Sequence, residues 1–202
     1  MIIIFDIEII EHILISKIKG MVHMNTINHF NKNKSINAVL FIAGKIKTCD
    51  FHKTFKILYF SDREHLSKYG RSITGDTYIA MQDGPVPTNL YDIFKSVRGD
   101  GYFKDKGNFA TFFEVTSWNI INPILEPNLK TLSKTDIEIL TSNVEIYGKL
   151  SWQEIRDISH DYAWENTSKD RPMKIKDILL EAGNDSSYLD YINMRATISK
   201  SF

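Results

Sequence analysis

The stretch from Asp50 to Pro87 constrains the fold most, because a long helical pattern there runs directly into a dense series of turn residues. Asp50 can cap a helix N-terminus, and apolar residues recur at helical spacing until Gly70, a residue type that often ends helices. The predicted buried face comprises Phe51, Phe55, Leu58, Leu66 and Tyr69, broadened by Ile57 and Tyr59. The sequence therefore predicts an amphipathic helix over residues 51–69.

The residues after this helix favour turns around one short strand. Gly75-Asp76 and Asp83-Gly84-Pro85 have turn chemistry, and residues 77–81 between them are typical of a strand. Pro87 stiffens the exit, and Asn89 is predicted to cap a further helix. The buried face of that helix would consist of Leu90, Ile93, Phe94 and Val97.

The remainder of the chain predicts more helices and little strand. Residues 36–43 carry apolar side chains at helical spacing, whereas residues 109–118 are aromatic and β-branched and predict a strand. Residues 119–129 contain two prolines and allow at most a short edge strand. Two further helices are predicted near the C-terminus, over residues 175–182 and 187–198.

Two capping boxes predict helix N-termini from residues only three positions apart. Ser133 is followed by Asp136 and Ser151 by Glu154, so each serine can accept from the backbone N–H three residues on while the acid reaches back. A chain of 202 residues with 43% hydrophobic and 25% charged residues fits one globular domain. The predicted fold is mainly α (α+β), a single compact helical domain with a small β-hairpin or short sheet.

Charge and cysteine content argue against several classes of protein. Lysine plus arginine and aspartate plus glutamate both total 25, so the chain lacks the basic excess of a dedicated nucleic-acid binder. Cys49 is the only cysteine, which fits a reducing compartment. Residues 2–15 are very apolar, but acidic residues interrupt them and no basic residue precedes them, unlike a signal peptide or a membrane span. We therefore expect a cytoplasmic protein without membrane attachment.

No complete cofactor or metal motif is present in the sequence. Gly70 and Gly75 have the spacing of a phosphate-binding loop, but Asp76 and Thr77 follow where that loop needs lysine and serine or threonine. There is neither an H-E-x-x-H nor a C-x-x-C motif. We expect no catalytic, cofactor-binding or metal-binding residues.

Acid–base chemistry is the one enzymatic alternative that the residues leave open. Asp62 and His65 are three residues apart and would share a helix face, where a carboxylate could orient the histidine. Cys49 would be a candidate nucleophile, although nothing near it in the sequence indicates activation. Structural pairing of these charges is the favoured interpretation.

A family resemblance rests on a long contiguous motif. Residues 59–87 read YFSDREHLSKYGRSITGDTYIAMQDGPVP, and Leu90-Tyr91-Asp92 follows. This run resembles the Panacea (SocA-like antitoxin) domain. The segments Leu132-Ser133, Tyr147-Gly148, Leu150-Ser151 and His160-Asp161-Tyr162-Ala163-Trp164 resemble its C-terminal half. The resemblance implies a Panacea domain over 35–168, an N-terminal extension over 1–34 and a C-terminal helical extension over 169–202.

The resemblance implies a function as well as a largely helical fold with a small β element. Panacea domains are antitoxins of bacterial and phage toxin–antitoxin systems and neutralise a cognate protein toxin by direct binding. The expected partner is such a toxin, encoded by an adjacent gene. The founding SocA protein implies an alternative, a proteolytic adaptor that delivers its toxin to a ClpXP-type protease. The family supplies no catalytic residues, and an enzyme that uses Asp62 and His65 is the least favoured alternative.

We interpret the polar and glycine residues of the motif as architectural, because they can fix a turn through hydrogen bonds and unusual backbone angles. This structural signature comprises Asp62, His65, Gly70, Arg71, Thr74, Gly75, Asp76, Gly84 and Pro85. The rival interpretation makes the same cluster a functional pocket. Partner-binding residues are expected in the flanks, on the loop over 98–108 and on the last helix. They are Arg98, Tyr188, Tyr191, Met194 and Arg195, since tyrosine and arginine are favoured at binding hot spots.

Overall fold

The computed structural model describes residues 29–47, 49–100 and 109–198, and within them the fold is mainly helical, as predicted. Most of the predicted N-terminal extension and most of the loop over 98–108 lie outside the described residues. The helices are α1 (Lys32–Ala43), α2 (Phe51–Tyr69), α3 (Thr88–Arg98), α4 (Lys134–Tyr147), α5 (Trp152–Ser159), α6 (Tyr162–Glu165), α7 (Ile175–Glu181) and α8 (Ser186–Ile198). The strands are β1 (Tyr78–Met81), β2 (Gly84–Pro87), β3 (Phe113–Thr116) and β4 (Ile120–Pro123).

Helix α2 is the centre of the molecule, in contact with α1, α4, α5, α7 and β2. Its predicted ends are confirmed: the Asp50 side chain accepts from the backbone N–H of Lys53 at 2.7 Å, and Gly70 ends the helix with φ 73°. The predicted burial of Tyr69 is wrong, because this residue lies in the last turn and is 47% exposed. Its ring lies beside the His65 ring instead, with 4.7 Å between the centroids.

Two antiparallel hairpins form separate two-stranded sheets. β1 pairs with β2, with Met81 opposite Gly84, and β3 pairs with β4, with Thr116 opposite Ile120. The predicted strand over residues 109–118 is too long, because residues 109–112 form turns in which the Phe112 N–H donates to the Phe109 carbonyl at 3.0 Å. The Phe109 ring is buried from this turn, so its apolar character did not require a strand.

The N-terminus of α3 differs from the prediction. Asn89 is not the N-cap: the helix begins at Thr88, and Asn89 lies inside the first turn, where its backbone N–H has no acceptor within the helix. Asp76 supplies the missing acceptor from the preceding turn. Its carboxylate accepts from the backbone N–H of Asn89 at 3.1 Å and from that of Leu90 at 3.0 Å.

The local helix signals of the C-terminal half are confirmed. Both capping boxes are present, with Ser133 N–H donating to Asp136 at 2.7 Å and Ser151 N–H donating to Glu154 at 2.7 Å. The two predicted C-terminal helices form as α7 and α8. They join the main core through buried apolar residues, namely Ile178, Leu179 and Ile192.

Gly75 provides the first testable prediction, because its φ is +68° and a Cβ atom there would lie 2.1 Å from the His29 carbonyl oxygen. We expect Gly75→Ala to lower the free energy of unfolding by about 3 kcal/mol, through left-handed backbone strain plus a steric clash. Gly183→Ala is the matched control, since Gly183 has φ +85° but no neighbour within 4 Å. This control should lose about 1 kcal/mol. Urea unfolding measures both, and equal losses would contradict a close approach at Gly75.

Candidate functional site

Asp62 is one of several buried polar residues of the motif. It is 3% exposed, and its carboxylate accepts from the backbone N–H groups of Ile73 at 2.7 Å and Thr74 at 2.9 Å. The hydroxyls of Tyr78, at 2.8 Å, and Thr74 donate to its other oxygen. Burial raises the pKa of Asp62, and hydrogen bonds from Thr74, Tyr78 and Ile73 act in the opposite direction. The side chain therefore ties the turn after α2 and the start of β1 to the middle of the helix.

His65 bonds to a different set of partners. Its Nδ1 donates to the Arg71 carbonyl oxygen at 2.8 Å, while Nε2 lies 3.0 Å from Thr135 Oγ1 and 3.1 Å from Asp136 Oδ1. The ring is completely buried. Although His65 and Asp62 lie three residues apart on α2, they share no hydrogen-bond partner: the partners of Asp62 lie in residues 73–78, whereas those of His65 are Arg71 and the start of α4. The geometry therefore gives no support to an aspartate–histidine pair of the catalytic type.

Asp136 joins three distant parts of the chain, and sequence reasoning recognised it only as half of a capping box. Its carboxylate pairs with Lys34 at 2.6 Å, with Arg71 at 2.9 Å and with His65 at 3.1 Å. Burial favours a raised pKa, but hydrogen bonds from His65, Lys34 and the Ser133 N–H outweigh it and hold the pKa of Asp136 far below its usual range. The carboxylate is thus charged and links α1, α2 and α4.

The two parts of the family motif meet at Asp161. Its carboxylate accepts from the Tyr59 hydroxyl at 2.7 Å and from Arg63 at 2.6 Å, both on α2, and it also caps α6. Trp164 Nε1 donates to the Met81 carbonyl oxygen at the end of β1, at 2.9 Å. The C-terminal segment of the motif is therefore fastened to the same helix and hairpin as the first segment.

Gly84 and Pro85 hold a buried lysine that the sequence analysis missed. Lys56 is 1% exposed, and its Nζ donates to the Pro85 carbonyl oxygen at 2.9 Å. A Cβ atom on Gly84 would lie 2.9 Å from Lys56 Nζ and 2.4 Å from Ser159 Oγ. Burial lowers the pKa of Lys56 to about 7. The only sequence signal that could have indicated the burial of Lys56 is its position within an apolar helix face.

Cys49 does not have the environment of an activated nucleophile. The thiol is buried, and Sγ lies 2.9 Å from Thr54 Oγ1. Burial is the main cause that raises the pKa of Cys49 to about 11, so the thiol is protonated at neutral pH. In the described ranges, no group of three or more histidine, cysteine, aspartate or glutamate residues could hold a metal ion.

The predicted partner-binding residues divide between two places. Tyr191 and Met194 lie on the outer side of α8 and are 48% and 55% exposed, and Arg195 Nη1 is 3.5 Å from the Tyr191 hydroxyl. Tyr188 is half-buried against the core, next to Tyr191. Arg98 ends α3, where it pairs with Asp100 at 2.6 Å and donates to the Trp118 carbonyl oxygen at 2.9 Å.

No helix in the described part of the chain is long and apolar enough to cross a membrane.

Comparison with known proteins identifies one family. No curated protein and no solved structure gives a significant match. The family model of the SocA-like antitoxin, Panacea domain, matches residues 55–165, which is more than half of the chain and includes the motif described above. The resemblance found in the sequence is confirmed, and the chain belongs to the family of SocA-like antitoxins with a Panacea domain.

Proposed function

We propose that this chain is the antitoxin of a toxin–antitoxin system and neutralises a cognate protein toxin by direct binding in the cytoplasm. The observation that carries the proposal is the family match over residues 55–165. The contacts of the motif are in keeping with it, because Asp62, His65 and Asp76 bond to turns and helix ends of their own chain. Such groups stabilise a surface and leave binding to residues outside the motif. In this proposal residues 35–168 form the antitoxin domain, and the segments on either side are extensions.

The proposed toxin-binding face is the outer side of α8, where Tyr191, Met194 and Arg195 are exposed together. Large aromatic and arginine side chains contribute most of the binding energy in typical interfaces. Ile192, on the opposite side of the helix, is 3% exposed and lies against Gly70. Deleting α8 would therefore expose part of the core as well as remove the proposed toxin-binding face. Point substitutions on that face change toxin contacts without exposing the core.

The test is coexpression with the product of the adjacent gene. We expect that product to arrest growth alone, and the wild-type chain to restore it. Combined Tyr191→Ala and Met194→Ala substitutions should weaken toxin binding at least tenfold, about 1.4 kcal/mol or more, because they remove two exposed anchors. Leu125→Ala is the matched control, since Leu125 is 47% exposed on the loop after β4, away from α8 in the sequence. Unchanged binding by the double variant, measured by titration calorimetry, would exclude this face.

Two measurements, one with purified proteins and one in cells, separate direct neutralisation from the adaptor alternative. Direct binding predicts that the purified chain inhibits the toxin without any protease. It also predicts that the half-life of the toxin in cells is unchanged by the chain. If inhibition instead requires a ClpXP-type protease and the toxin half-life falls, the chain is an adaptor. A harmless neighbouring gene product, or no rescue by the wild-type chain, would contradict both forms of the proposal.

A further inference from the structure

A pocket of about 280 Å³ lies between the start of α2, the β1–β2 hairpin and α3. This volume is close to the lower end of the range for ligand pockets. Its lining includes the aromatic side chains of Phe51, Phe55 and Tyr91. The Phe55 and Tyr91 rings meet edge to face, with 5.8 Å between their centroids. The shape and lining therefore suit an apolar side chain.

The charges of the lining favour an anion beside that side chain. Lys56, Arg98 and Asp83 line the pocket, and Asp83 is paired with Arg156 at 3.2 Å. Arg98 is already paired with Asp100, to which its guanidinium donates at 2.9 and 2.6 Å. In the described ranges, no carboxylate oxygen lies within 4.0 Å of Lys56 Nζ, so this buried amine has only the Pro85 carbonyl as a hydrogen-bond partner. Burial lowers the pKa of Lys56 to about 7, and a carboxylate in the pocket would favour the charged form of this amine.

Two exposed tryptophans each contact a residue that lines the pocket. Trp118 is 70% exposed and occupies the β3–β4 turn with φ 70°, a conformation that costs energy for a bulky residue. Arg98 holds it there, with Cζ 4.2 Å from the centre of the indole ring. Trp152 is 46% exposed and stacks on His52, another lining residue, with 4.6 Å between the ring centroids. Tryptophan and arginine around an apolar pocket are typical of a protein-binding hot spot.

We propose that this pocket receives an apolar side chain, carried next to a carboxylate, from the toxin. The inference deepens the proposed function and rests on it, because it names a second contact and the chemistry that the toxin must present there. The toxin side chain would lie against Phe55 and Tyr91 with its neighbouring carboxylate directed to Lys56 and Arg98. The flanking tryptophans would cover the adjoining backbone of the toxin.

A small-molecule probe tests the pocket without the toxin. The probe is 3-phenylpropionate, which carries a phenyl group and a carboxylate, and 3-phenylpropionamide is its uncharged counterpart. We expect saturable chemical-shift changes in the spectrum of the full chain with a Kd on the order of 1 mM for the acid. The amide should bind at least about tenfold more weakly. Equal affinities would overturn the carboxylate part of the proposal, and no saturable shift for either compound would overturn the pocket itself.

Two matched pairs of variants locate the binding. Gln82 is exposed at the hairpin turn and lines the pocket, so Gln82→Trp should obstruct the mouth and abolish probe binding. Gln153→Trp, at an exposed position outside the lining, should leave it unchanged. Arg98→Gln should weaken binding of the acid but not of the amide, whereas Arg171→Gln, at an exposed position outside the lining, should affect neither. Probe binding that survives in both Gln82→Trp and Arg98→Gln would show that the probe binds elsewhere.

The toxin arm uses the same variants in coexpression. Gln82→Trp should lose growth rescue at least tenfold in plating efficiency, whereas Gln153→Trp should rescue like the wild type. Full rescue by Gln82→Trp would overturn the assignment of the pocket to the toxin, even if the probe binds. Failure of the wild-type chain to rescue would count against the proposed function instead, and the probe titration would still decide whether the pocket binds its ligand.

Discussion

Replacement of Asp62 by alanine is expected to lower the free energy of unfolding by about 4 kcal/mol. The substitution leaves the backbone N–H groups of Ile73 and Thr74 and the hydroxyls of Thr74 and Tyr78 without their acceptor in a buried site. Each unsatisfied buried donor costs about 1–3 kcal/mol, and partial relaxation of the turn recovers some of the loss. Urea unfolding monitored by circular dichroism measures the change.

The same variant distinguishes an architectural Asp62 from a catalytic one. Asp157→Ala is the control, because Asp157 has a side chain that is 57% exposed and should lose no more than about 0.5 kcal/mol. At a temperature where the Asp62 variant remains folded, toxin neutralisation should persist, since the carboxylate only supports the surface. A variant with wild-type stability and no neutralising activity would contradict the architectural role and favour chemistry at Asp62.

Asp136→Asn is expected to lower the free energy of unfolding by about 3 kcal/mol at pH 7. It keeps the size of the side chain but removes the charge that Lys34, Arg71 and His65 share. Asp136 is buried, so removing its charge leaves Lys34 without its counter-ion, whereas Arg71, with 42% of its side chain exposed, remains partly hydrated. Glu138→Gln is the matched control on the same helix, because Glu138 has a side chain that is 56% exposed and should contribute little.

The effect of Asp136 should depend on pH with a definite sign. The pKa of this carboxyl is held far below its usual value of 3.8 in the folded chain, so its stabilising contribution is complete above that value. As the pH falls below about 3.8, the unfolded chain takes up the proton first, and the contribution declines by about 1.4 kcal/mol per pH unit. The stability difference between wild type and Asp136→Asn should therefore shrink from pH 5 to pH 2. A constant difference would show that the charge of Asp136 is not what stabilises the fold.

Helix ends that depend on residues close in sequence were predictable. Asp50, Ser133 and Ser151 each cap through a donor three residues away, so no tertiary contact is needed to form the bond. The N-terminus of α3 was not predictable in this way. Its acceptor is Asp76, and the sequence offered Asn89 as a plausible but incorrect local cap.

The candidate site shows the same division. The motif identified Asp62, His65 and Arg71 as a polar cluster, but the three-residue spacing of Asp62 and His65 on α2 suggested a pair between those two side chains. They diverge because the turn after Gly70 encloses Asp62 while α4 brings Asp136 to His65. Lys34 and Lys56 were missed, since an isolated lysine in a helix carries no sign of its distant partner.

By itself the sequence determined the helical class of the fold, most helix ends and the family, since these depend on spacing, local hydrogen bonds and a contiguous motif. Only the tertiary structure decided which buried charge meets which partner, that residues 109–112 turn instead of continuing a strand, and that a pocket forms between α2, the β1–β2 hairpin and α3. The physical reason is that burial and long-range hydrogen bonds arise when distant segments pack. The spacing of residues within one segment does not determine where another segment packs against it.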